Sequence, residues 1–135
     1  MLNSSGYFEN TYFSEDELRC KGNGELSLAP GFLGMLVHLR KVWADALIVN
    51  SCCRSLEHNT AVGGHVKSLH LTSNEERSIA GTMAIDISTA NMEDIDVETF
   101  HALAGDLGWS VGRAKTFIHL DARILLGRSR ADFTY

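Results

Sequence analysis

The sequence predicts an α+β domain, a small, mostly antiparallel sheet flanked by two main helices. Three observations carry this expectation. Phe32, Leu33, Leu36, Leu39, Val42 and Trp43 recur at three- and four-residue spacing, and so do Val97, Phe100, Leu103, Ala104 and Leu107, so each segment reads as an amphipathic helix. Short apolar, partly β-branched runs separate the two segments and are joined by short loops. Further runs of this kind follow the second segment and end the chain.

Ser14-Glu15-Asp16-Glu17 is a capping box with Phe13 as its hydrophobic staple. It opens a short helix to about Cys20, which Lys21-Gly22-Asn23-Gly24 stops. Pro30, the only proline, stands at the start of the first main helix, which runs from Phe32 to about Asp45. Ala46 to Ser51 reads as a strand, and Glu57 to Val62 as a turn of helix ended by Gly63-Gly64. The polar stretch from Thr72 to Ser78 reads as an exposed loop, and Met83 to Ile87 as a strand. Gly108 stops the second main helix. Trp109 to Val111, Phe117 to Leu120 and Ile124 to Leu126 read as the last strands. His38 and His101, inside helices, are expected to be exposed.

At 135 residues, with no linker, repeat or low-complexity segment, residues 1–135 are expected to form one domain. A hydrophobic content of 44% is enough for a core and too high for a disordered chain. The net charge of -5 and the lack of any Lys/Arg run argue against nucleic acid as the main partner. The longest apolar stretch, Phe32 to Ala46, is broken by His38, Arg40, Lys41 and Asp45, so no membrane span is expected. Met1 to Gly6 has no basic region leading into an apolar run, so the expectation is a chain without a signal peptide, cytoplasmic as made and able to act on a cell wall after release. No feature sets an oligomeric state. Cys20, Cys52 and Cys53 are odd in number and lack C-x2-C spacing, which predicts reduced, packed thiols.

Three stretches carry the chemistry: Ser68-Leu69-His70, Ala84-Ile85-Asp86-Ile87, and Phe117-Ile118-His119-Leu120-Asp121-Ala122-Arg123. Two histidines and one carboxylate, His70, Asp86 and His119, are a three-ligand set for Zn2+ that leaves the fourth position open, as catalytic rather than structural sites do. Strand alternation places Asp86, His119 and Asp121 on the polar side of two neighbouring strands, with Ile85, Ile87, Ile118 and Leu120 facing the core. A buried Asp86 between two isoleucines requires a metal or a cation beside it.

The ordered run Asn50-Ser51-Cys52-Cys53-Arg54, His58-Asn59, Val62-Gly63-Gly64, Ser68-Leu69-His70, Ala84-Ile85-Asp86-Ile87, Gly108-Trp109 and Phe117 to Arg123 resembles the zinc D-Ala-D-Ala carboxypeptidase and L-alanyl-D-glutamate endopeptidase family, whose fold is shared with the hedgehog signalling domain. The family pattern is S-x-x-R, N-x-x-V-G-G, S-x-H-x-x-G-x-A-x-D, G-W or G-F, then H-x-D-x-R. The resemblance covers roughly residues 13 to 123. It implies that His70, Asp86 and His119 ligate zinc. It implies that Arg54 reaches the cleft and holds a carboxylate or carbonyl of a peptide substrate, a task suited to the guanidinium fork. Ser68 would lie near the substrate or steady His70. Asp121 would be the general base or a partner that orients a ligand.

Two departures stand out. The His70–Asp86 interval is about nine residues longer than the pattern, a tolerable insertion because loop closure entropy grows slowly with length. It lies around Ser73 to Ala80, and Gly81 is displaced with it. Where many relatives carry an acidic base three residues before the last histidine, this chain has Thr116, which leaves Asp121, then His65, as the base.

The function expected from this resemblance is a zinc-dependent peptidase of the D,D-carboxypeptidase or endopeptidase type. It would hydrolyse bonds in bacterial peptidoglycan stem peptides or cross-links, as a phage-type lysin does. The alternative is a non-catalytic zinc-binding or virion structural module on the same fold, which the missing acid at Thr116 keeps open.

Overall fold

Two helical stripes and one sheet, buried on its core face, organise the chain, of which a computed structural model describes residues 12–65, 67–74 and 79–135. The capping box forms as its residues require. The Ser14 hydroxyl accepts from the Glu17 amide at 3.1 Å and the Glu17 carboxylate accepts from the Ser14 amide at 2.9 Å, opening α1 (Glu15–Leu18). Phe13 and Leu18 on either side of that cap are both buried in the core. The first main helix, α2 (Phe32–Trp43), begins just after Pro30 and buries Phe32, Leu33, Leu36 and Leu39. Strand β1 (Val49–Ser51) follows, then α3 (Leu56–Ala61), capped by the Ser55 hydroxyl. The second main helix, α4 (Asp94–Asp106), starts three residues earlier than the apolar spacing predicts. A reciprocal cap between Glu93 and Asp96 sets its first turn.

Among the described residues the main sheet has five strands in the order β1-β4-β6-β5-β7. They are β1, β4 (Ala84–Ser88), β5 (Ser110–Arg113), β6 (Phe117–Asp121) and β7 (Asp132–Thr134). All neighbours are antiparallel except β5 and β7, which are parallel, so the sheet is mostly antiparallel and the fold is α+β. Ile85, Ile87, Ile118 and Leu120 are fully buried and join Phe32, Leu36, Phe100 and Trp109 in one core. Each such side chain contributes about 1.5–3 kcal/mol by leaving water. Phe32 meets Trp109 edge-on at 5.8 Å, and Trp43 of α2 meets Phe100 of α4 at 5.0 Å, so the helices are tied to the core and to each other. No helix among the described residues is long and apolar enough to cross a membrane.

Three expectations need correction. Ile124 to Leu126 is not a strand. The Asp121 carboxylate accepts the Arg123 amide at 3.2 Å and turns the chain into a 3-10 helix, Arg123–Leu126. The last strand is instead β7, too short and too polar at its ends to register as a pattern. The Thr72 to Ser78 stretch is not all exposed loop. Thr72 is buried, and β2 (Ser73–Asn74) pairs with β3 (Ile79–Ala80) in a small hairpin, while residues 75–78 lie outside the described residues. His101 is half-buried rather than exposed, because it sits between Asp132 at 3.0 Å and Arg113 at 3.2 Å. All three cysteines are free and buried, as their spacing predicts.

Candidate functional site

Strand register builds one side of the site. In the β4–β6 ladder Asp86 lies directly opposite His119, and Ala84 opposite Asp121. The same alternation that sends Ile85 and Ile118 into the core sends Asp86 and His119 to the other face. His70 arrives from a turn, and its main chain is clamped. Its carbonyl accepts from the Arg54 amide at 2.9 Å and from the Thr82 hydroxyl at 2.9 Å, and its amide donates to the Ser68 hydroxyl at 3.2 Å. The Met83 amide also donates to the Leu69 carbonyl at 2.8 Å. The insertion between His70 and Asp86 therefore leaves their side chains 3.1 Å apart.

The three residues form a compact set of donors. One ligand atom from each of His70, Asp86 and His119 lies within 4.8 Å of the others, and all three residues are buried. Hydrogen bonds outside the set fix which nitrogen each ring offers. His70 Nδ1 is 2.7 Å from the Cys52 carbonyl, an acceptor only, so Nδ1 carries the proton and Nε2 is left toward Asp86. His119 Nε2 is 2.8 Å from the Asp121 carboxylate, which leaves Nδ1 facing Asp86 at 3.1 Å. His70 Nε2 and His119 Nδ1 thus converge on one carboxylate oxygen, Asp86 Oδ1, each donating to it when protonated and, with the ring neutral, offering a lone pair to a cation held between them. This is the outer support that metal-ligating histidines require, and the residues fit a divalent metal ion.

Arg54 supports the remaining oxygen. Its guanidinium donates to Asp86 Oδ2 at 3.2 Å, to the Ser51 hydroxyl at 3.1 Å and to the Asn59 side-chain oxygen at 3.3 Å. Asn59, itself buried, donates to the His65 carbonyl at 2.8 Å. Gly64 follows from this packing, since a Cβ there would lie 2.0 Å from the Asn59 oxygen, whereas Gly63 serves the turn through its φ of 75°. Asp121, 1% exposed, accepts a two-pronged bond from Arg123, Nε to Oδ1 at 2.8 Å and Nη2 to Oδ2 at 2.8 Å, in addition to the His119 contact.

The electrostatics follow these contacts. Burial alone would raise Asp86, but hydrogen bonds from His119 and His70 outweigh it and hold the carboxyl well below its usual range. Burial likewise opposes Asp121, and Arg123 and His119 overcome it. The two histidines diverge. Burial pushes His70 down, whereas at His119 the burial effect is outweighed by Asp121 and Asp86, so His119 is raised.

The site forms the floor of an open cavity of about 380 Å³. Arg54 and Ser68 line it, as do the three metal donors and Asp121, so every residue singled out from the sequence reaches one cleft. The sequence gives no sign of the Cys52 carbonyl, the Ser51 hydroxyl or two aromatic walls, Phe133 and Tyr135. The pairing of Asp121 with Arg123, two residues on in the H-x-D-x-R pattern, is one that the sequence does offer, and it forms.

A buried His-Asp-His set that could hold a metal ion, lining an open cleft on an α+β scaffold, is a layout that suits a metal-dependent hydrolase. The chain belongs to the Peptidase M15 family, a zinc D-Ala-D-Ala carboxypeptidase-type family, which it matches over residues 8–121. That span includes all three metal donors, Arg54 and Asp121, and makes the protein a metallopeptidase. No curated protein matches the sequence.

Proposed function

We propose that this protein is a zinc-dependent peptidase that hydrolyses peptide bonds in the stem peptides or cross-links of bacterial peptidoglycan, in the manner of a phage-type lysin. The observation that carries the reading is the convergence of His70 Nε2, His119 Nδ1 and Asp86 on one point at the floor of an open cleft. These three residues would hold the ion. When bound, zinc supplies a Lewis acid for a peptide carbonyl and an activated water at neutral pH.

The chain's own residues do the rest. The Cys52 carbonyl and Asp121 keep each imidazole in the tautomer that points its lone pair inward. Arg54, fixed by Ser51 and Asn59, presents its guanidinium to the cavity and holds a substrate carbonyl or carboxylate. Ser68 steadies His70 through its amide and borders the substrate. For the proton, two of the groups that line the cavity are candidates. Asp121 has both oxygens engaged by Arg123 and His119, which favours its role as the orienting partner of His119 over that of a base. His65 accepts the Lys67 amide on Nδ1 at 3.0 Å and is exposed at the cavity, which makes it the other proton carrier to test.

A second reading is a metal-binding module without turnover. Apart from the ligand Asp86, the carboxylate of a described residue on the cavity is Asp121, and it is already paired. Purified protein incubated with muropeptides, with and without a chelator, separates the two. Chelator-sensitive release of cut stem peptides supports the peptidase, and the product masses distinguish endo- from carboxypeptidase cleavage. Metal bound at one equivalent with every muropeptide left intact would favour the module. In Asp121→Asn, an orienting role predicts metal affinity lower by about 10–100-fold. Unchanged affinity with lost turnover would return Asp121 to the role of base.

A further inference from the structure

Beyond residue 121, where the family match ends, the chain adds a second wall to the cleft. Strand β7 pairs in parallel with β5, which puts Phe133 beside Gly112, and Gly112 beside His119. The Phe133 ring occupies the space that a side chain at 112 would fill, since a Cβ there would lie 2.4 Å from the ring. This seats the ring 5.6 Å from the His119 imidazole. Two residues on, Tyr135 shares that face of the strand, its ring 5.8 Å from Phe133, 5.3 Å from Phe117 and 6.4 Å from His119. All three aromatic rings line the cavity. The same cavity is lined by Arg54, Ser68 and the backbone of Gly63-Gly64, and by Val62 and Leu69, so aromatic rings and polar groups share it.

We propose that Phe133 and Tyr135 form the binding wall for a neutral aliphatic side chain on the peptide residue next to the cleaved bond, and so set which peptides the site accepts. The proposal rests on the peptidase reading above. An extended peptide offers both polar backbone and side chains, and a cavity lined by polar groups and by aromatic rings can take each. A cationic side chain is disfavoured here, because Arg123 and Arg128 line the same cavity and its carboxylates, Asp86 and Asp121, are engaged. Arg123 also lies over the Phe133 ring at 5.8 Å, so the ring is held from a second direction. The outer part of Tyr135 is open to solvent, its residue 68% exposed, as a wall awaiting a ligand requires.

The test is a binding titration with two short peptides that differ only in carrying leucine or alanine at that residue. The readout is the ring-proton resonances of Phe133 and Tyr135, on the chain as purified and after zinc loading. The leucine peptide is expected to bind about tenfold more tightly and to shift both rings, a gain that follows from covering two or three carbons partway. Tyr135→Ala should remove most of that preference with zinc stoichiometry unchanged, and Tyr135→Phe should keep it. Phe133→Ala should behave like Tyr135→Ala. If it does not fold, the exposed Tyr135 variant decides alone. Equal binding of both peptides by the parent chain, or a leucine preference that survives in Tyr135→Ala, overturns the wall. A leucine preference in a chain that cuts no muropeptide would instead count against the peptidase reading and leave the wall standing.

Discussion

The two halves of the metal site are held by different means. Asp86 and His119 lie opposite each other in an antiparallel ladder, so strand register alone brings them together. A one-residue slip would send both into the core, and the buried isoleucines on the other face forbid it. His70 has no ladder. It sits on a turn and depends on separate bonds, accepted from the Arg54 amide and the Thr82 hydroxyl and donated to the Ser68 hydroxyl and the Cys52 carbonyl. Position comes free with a sheet but has to be made bond by bond in a loop. That difference explains why this chain can carry its extra residues on the His70 side. Extra residues grow outward as the β2–β3 hairpin, beyond the clamps, and the ladder is untouched.

The largest loss is expected on the sheet side. His119→Ala removes a ligand and the partner of Asp121, and metal affinity should fall by roughly a thousandfold or more, measured by competition with a chromogenic chelator. Retained tight binding would remove His119 from the site. Next is the response of the metal-free chain to pH. His119 is raised and His70 lowered, so ring-proton titration should show His119 taking its proton at the higher pH. The signs for stability then oppose each other. The His70 contribution is present above the ordinary histidine range and is lost as pH falls through and below that range. The His119 contribution is present below it and lost as pH rises through the raised value. Asp86 and Asp121 are both depressed, so their share is full above the ordinary carboxylate range, about 4, and disappears in stronger acid. A His70 that protonates before His119 would contradict the contacts assigned to the two rings.

On the loop side the effects should be smaller. Thr82→Val removes one of the two bonds to the His70 carbonyl and should cost about 1 kcal/mol, read as a lower melting midpoint and a metal affinity weaker by a few-fold. A loss as large as that of His119→Ala would show that the clamps act as one unit rather than as separate bonds. The smallest effect is expected from deleting residues 75–78 and closing the hairpin with Asn-Gly. Metal affinity should stay within about twofold, since the clamps lie inside the hairpin base. A large loss would mean that the hairpin, not the clamps, sets His70.

Much of this site was legible in the sequence because of alternation. Asp86 between two isoleucines, and His119 and Asp121 interleaved with Ile118 and Leu120, state which side chains share a face. The α+β class followed from helical stripes whose apolar faces did become core, except at Val42, which is 46% exposed. What could not be read were contacts made by backbone atoms. A carbonyl such as that of Cys52 has no residue identity to notice. Nor does a three-residue strand such as β7 have enough length for a period of two to show. The Ile124 to Leu126 run misled for a related reason. It is apolar enough for a strand, but the Asp121 carboxylate bends the chain just before it.

His70, Asp86 and His119 lie on three separate stretches of chain, and no two are near enough in sequence to chelate an ion before the sheet closes. An unfolded molecule therefore offers no assembled site, and the ion favours the native state by mass action. With free ion at a hundred times its dissociation constant the native state gains about 2.7 kcal/mol. The thermal midpoint becomes a function of the surrounding metal concentration, climbing where the ion is plentiful and dropping where it is sequestered.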